Sequence, residues 1–79
     1  MIKNSIPLNE CETDDHVVIE SMLIQGVMRR RLLDLGFVKG AQIEVLQKSP
    51  LGDPAAYRVN NTTIALRKEE SSQILVRKA

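Results

Sequence analysis

Seventy-nine residues make one domain, 1–79, and are too few for two. Eleven lysines and arginines against ten aspartates and glutamates leave a net charge of +1, so no global field draws the chain to nucleic acid or anionic lipid. One cysteine, Cys11, excludes an intrachain disulfide and a Cys-based zinc cage, and with Phe37 and Tyr57 as the only aromatics the core must be built from Val, Ile, Leu, Met and Ala.

Met1-Ile2-Lys3-Asn4-Ser5 lacks the apolar run of a secretory signal. No later run approaches the ~18 apolar residues that span a bilayer, so a soluble cytosolic chain without direct membrane insertion is expected. Ser5-Ile6-Pro7-Leu8 reads as a brief helical turn, with Ser as cap and Pro in the first turn, placing Leu8 and Cys11 on one side. Asp14-Asp15 is turn chemistry, and His16 to Leu23 reads as a strand with Val17 and Ile19 inward and Glu20 in water. Gly26 to Leu35 is the convincing helix, since Met28, Leu32 and Leu35 recur at i, i+4 and i+7. Gly36 stands where a left-handed C-terminal cap is wanted.

From Ala41 the period changes to two. Ile43 and Val45 point one way, and Gln42, Glu44 and Lys48 the other. Pro50 and Pro54 bracket a corner in which Gly52 can take a positive φ, so the strand after Pro54 lies at a sheet edge or starts beyond the proline. Tyr57 and Val59 alternate, Asn60-Asn61 makes a two-residue hairpin, and Thr62 to Leu66 returns. Lys68 to Ser72 fits one helical turn, and Gln73 to Val76 closes the chain with a short strand. Five short strands with two helical insertions describe a mainly β fold, a small, partly open barrel.

Arg31-Leu32-Leu33-Asp34-Leu35-Gly36, Gly40, Leu51-Gly52-Asp53-Pro54, Ile64-Ala65-Leu66-Arg67 and Ile74 with Val76 together resemble the FeoA family, over roughly Leu8 to Val76. The Leu-Gly-Asp-Pro and Ile-Ala-Leu-Arg pair in this order carries most of the resemblance. It implies an SH3-like barrel and an accessory role in bacterial ferrous iron uptake. The implied partner is FeoB, a membrane permease with an attached GTP-binding domain, met at the inner face of the cytoplasmic membrane. Departures from the family pattern are Lys39 for Pro, Asn60-Asn61 and Asp14 for glycines, and Cys11 for Leu.

Cys11-Glu12-Thr13-Asp14-Asp15-His16 has the donors of a ferrous site, but Cys11 in a core slot behaves as a small hydrophobe and His16 opens a strand on its outer side. No resident metal or cofactor is therefore assigned. Arg29-Arg30-Arg31 would be a nucleic-acid patch if the three made a stripe. Successive helix residues are ~100° apart, however, so they fan out, and Asp34 sits one turn after Arg30. No enzyme is expected, for the chain has one His, no nucleophile–base pair and no glycine-rich phosphate loop.

A protein–protein surface remains. The apolar residues that periodicity leaves outside the core are Phe37 past the helix cap, Leu46 on the polar side of its strand and Leu51 at the corner, with Arg29 and Arg30 as rim charges. Phe37 reads equally well as a lid folded onto the barrel end. Gly36, Gly40, Gly52, Asp53 and Pro54 are assigned to turns. A metal-dependent regulator or nucleic-acid-binding module on the same barrel is the alternative, disfavoured by the missing DNA-reading helix pair and the near-zero net charge.

Overall fold

The computed structural model describes residues 5–79. Met1–Asn4, on which the expected lack of a secretory signal bears, lies outside the described residues. The elements are β1 (Ile6–Pro7), a 3-10 turn (Leu8–Glu10), β2 (His16–Met22), α1 (Gly26–Asp34), β3 (Gln42–Lys48), β4 (Ala55–Val59), β5 (Thr62–Leu66), α2 (Lys68–Ser71) and β6 (Ile74–Lys78). One sheet runs in the order β1-β6-β2-β3-β4-β5 with every pairing antiparallel, a partly open barrel whose free edges are β1 and β5.

Six strands stand where five are expected. Ile6 and Pro7 pair with Val76 and Leu75, so the first helical turn starts at Leu8 and Ser5 does not cap it. Pro7 is tolerated because β1 is an edge, where a missing N–H costs no ladder bond on the open side. Pro54 causes no conflict within β4, since that strand starts at Ala55.

Two bulges set which side chains point inward. Between β2 and β6 the register shifts after Ile19, so Ser21 faces Leu75 and Met22 faces the buried Ile74. Between β3 and β4 it shifts after Val45, with Leu46 as the extra residue, and Lys48 then sits opposite the buried Ala55. Directly opposed residues share a face. Lys48 is therefore on the inner side of the sheet, which corrects its expected place beside Gln42 and Glu44: one inserted residue reverses every later side chain.

α1 lays Leu32, fully buried, on the barrel, with Met28 and Leu35 partly buried against the same core. Its end is a Schellman motif. The Phe37 N–H donates to the Leu32 carbonyl at 2.9 Å and the Gly36 N–H to the Leu33 carbonyl at 3.1 Å, with Gly36 at φ +105°. This motif carries its first residue past the glycine back over the helix, where an apolar side chain meets the one at Leu32's position. Phe37 is accordingly 0% exposed. Its expected place among the surface anchors is corrected: it is a core residue that closes the barrel end. A Cβ on Gly36 would also come within 2.2 Å of the Asn60 side-chain nitrogen, so the β4–β5 hairpin leans on this glycine.

Candidate functional site

The Gly-Asp-Pro corner does more than reverse the chain. Asp53 Oδ1 accepts the Lys68 backbone N–H at 2.8 Å, and Glu70 Oε1 accepts that of Arg67 at 2.9 Å. Both carboxylates satisfy donors at the start of α2 that no carbonyl of its one turn can reach. Asp53 thus holds the amide directly after the motif that ends at Arg67, a physical reason for the two motifs to occur together. Gly52 takes φ +86°, Gly40 takes φ +90°, and the Gly40 N–H donates to the Ile19 carbonyl at 2.8 Å.

Beside the corner lies a cleft of about 300 Å³ between the 3-10 turn and α2. Ala55, Tyr57, Leu66 and Ser71, all buried, form its wall, and Asn9, Glu10, Lys48, Asp53 and Lys68 its rim. Asn9 Oδ1 is buried there with no hydrogen-bond partner among the described residues. Burial pushes the Tyr57 phenol up from its ordinary value, with the Ser71 hydroxyl pulling the other way. Such a cleft offers hydrogen bonds and charges of both signs. Sequence reasoning missed it, because Lys48 reaches it only through the bulge at Leu46 and Asn9 carries no local signal.

Leu51, at the corner, is 93% exposed. Leu46 is half-buried at the β3 bulge. Arg29 is half-buried, its Nη1 donating to the Met22 carbonyl at 3.3 Å, while Arg30 and Arg31 are exposed. The expected Arg30–Asp34 pair is not among the ion pairs of the described residues, which are Arg58–Glu44 at 3.0 Å, Lys78–Asp15 at 3.1 Å and Arg77–Glu20. Two long side chains in water gain little by meeting. Among the described residues, the large exposed apolar side chains not singled out from sequence are Leu23, Val27, Leu33 and Val38, of which Val27 is 86% exposed on the first turn of α1. Val27 was readable from the helix over 26–35, since it lies ~100° off the stripe of Met28, Leu32 and Leu35.

Cys11 is 1% exposed, and burial followed by the nearby Asp15 carboxylate pushes its thiol up, away from the thiolate that binds metals. His16 is exposed on β2. Among the described residues no three or more His, Cys, Asp or Glu side chains are placed to hold a metal ion. Asp15 Oδ2 accepts the Glu12 N–H at 2.9 Å, closing the turn before β2, while Oδ1 meets Lys78 of β6, and its carboxyl is held below the usual range.

The FeoA domain family model matches residues 6–78. A fusion of Fe(2+) transport protein A with the Fe(2+) transporter FeoB, from Porphyromonas gingivalis, is 42% identical over 69 residues, which are 87% of this chain; the chain spans 8% of that curated relative's length. The solution structure of FeoA from Chlorobium tepidum superposes with a TM-score of 0.88 at 36% identity, over 92% of this chain and 70% of that one. FeoA of Stenotrophomonas maltophilia in complex with zinc, described as a prokaryotic SH3 domain protein, has a TM-score of 0.78 at 34% identity, over 89% and 87% of the two chains. The chain belongs to the FeoA domain family, SH3-like proteins linked to ferrous iron transport.

Proposed function

We propose that this chain is an accessory component of ferrous iron uptake that docks on the cytosolic part of a FeoB-type permease. The observation that carries this reading is the P. gingivalis fusion, in which a 42% identical segment shares one polypeptide with the transporter. Joining two modules by a linker raises the effective concentration of one at the other, which is useful only if they meet. Among the described residues no helix is long and apolar enough to cross a membrane, so a position at the inner membrane face comes through the partner.

On this reading Leu51 is the apolar anchor, held out at the corner by Gly52 and by the Asp53–Lys68 bond behind it. Leu46 adds apolar area at the β3 bulge, and Arg29 and Arg30 supply charge at the rim. Phe37 has no part in it. The test is a pull-down from solubilised membranes of the source cells with the tagged chain as bait. Recovery of a large GTP-binding permease supports the reading; recovery of duplex DNA or a small regulator instead contradicts it.

A further inference from the structure

The two open edges of the sheet differ. β1 offers two residues, one of them a proline, whereas β5 offers five with no charge, no proline and no bulge. Soluble proteins commonly blunt exposed edges with such features, because an open ladder is a template for another strand. Asn60 and Asn61, at φ 51° and 63°, make a two-residue turn whose flanking pair, Val59 and Thr62, exchanges both main-chain bonds. Alternation then turns the N–H and C=O groups of Ile64 and Leu66 toward β4 and those of Thr63 and Ala65 toward the free edge. Thr63 and Ala65 are exposed, and among the described residues no backbone bond reaches them from outside the β4–β5 ladder.

We propose that β5 pairs with β5 of a second copy of this chain, antiparallel about a twofold axis at Ile64. A second copy fits because the strand is complementary to itself. In this register Thr63 of each subunit lies opposite Ala65 of the other, and each such pair exchanges both main-chain bonds left open by β4. Ile64, half-buried on the inner face, meets its mate at the axis, where side chains of a non-bonded pair approach most closely. Thr62 faces Leu66 and Asn61 faces Arg67, so no charge opposes a like charge. A contact this short falls below the roughly 1,200 Å² of stable interfaces, so association is expected only toward about 1 mM.

The experiment follows backbone amide resonances and translational diffusion of the full chain between about 0.05 and 2 mM. Shifts that grow with concentration at Thr62–Leu66, with slower diffusion, are expected. Two double variants on the exposed outer face decide the register. Thr63→Glu with Ala65→Glu sets like charges opposite each other twice and should weaken association at least tenfold. Thr63→Glu with Ala65→Lys sets opposite charges in both pairs and should associate at least as tightly as the parent. Shifts that do not depend on concentration overturn the proposal. So do shifts centred elsewhere, capture of a foreign extended segment in place of a second copy, or two variants that associate equally.

Discussion

Phe37 and Gly36 act together at the end of α1. Truncating Phe37 to Ser removes a fully buried ring and leaves a hydroxyl in its place, a loss of about 3–5 kcal/mol in a domain of this size, whose total stability is of order 5 kcal/mol. A urea melt of Phe37→Ser should show a protein largely unfolded in buffer, with Phe37→Leu between it and the parent. Gly36→Ala should cost about 1–2 kcal/mol in the same assay, because φ +105° is costly for any residue with a Cβ. Periodicity over 26–35 reveals the helix and its glycine stop but ends there, so it leaves Phe37 outside the core. The apolar residue directly after a cap glycine was the available signal, since the Schellman geometry, not the helical period, directs it. Cys11 is the opposite case. Its burial follows from its spacing with Leu8, and it should label with thiol reagents at a rate set by local opening, far slower than in urea. Rapid labelling of the folded chain would contradict its place in the core.

α2 is one turn, too short to persist alone, and its start is held by the Asp53 and Glu70 carboxylates. Asp53→Ala should lower stability by about 1 kcal/mol, while Asp53→Asn, which keeps an acceptor, should lose less. Hydrogen exchange at the Lys68 amide reads the effect directly: it should accelerate in the alanine variant more than amides of β2 do. An equal acceleration everywhere would make the bond irrelevant to α2. Among the elements, β5 and its Asn60-Asn61 hairpin were legible because alternation and turn chemistry are both local. The bulges were not. Each is one extra residue in a strand that otherwise alternates, and no residue type at Glu20 or Leu46 announces it. Everything downstream in β3, including the turn of Lys48 into the cleft, was lost with that one residue.

At the scale of the whole molecule, the shifted ionisable groups make stability depend on pH at both ends of the range. Asp15 has a lowered carboxyl pKa, chiefly through the Glu12 N–H and then Lys78, so its contribution is complete above the unfolded value of 3.8 and is lost as pH falls through the folded one. Cys11 and Tyr57 are raised by burial, so stability is undiminished below the ordinary thiol value of 9.0 and falls as pH rises past it. Melting temperatures measured across pH should therefore drop at both ends, with Asp15→Asn flattening the acid limb and Cys11→Val easing the alkaline one. The family was legible at this scale because its motifs sit at turns and caps, where few residue types serve. The proposed docking surface was less so, since exposure depends on the fold: Leu51 stays outside while Phe37, equally apolar and equally near a glycine, is drawn in. The direct test is a calorimetric titration of the chain into the isolated cytosolic part of the FeoB-type permease from the same cells, for the parent and for Leu51→Ser. Saturable binding is expected, weakened at least tenfold, about 1.4 kcal/mol, by a substitution that leaves the melting temperature unchanged. No binding by the well-folded parent would contradict the proposed docking, and equal binding by Leu51→Ser would remove the corner from it.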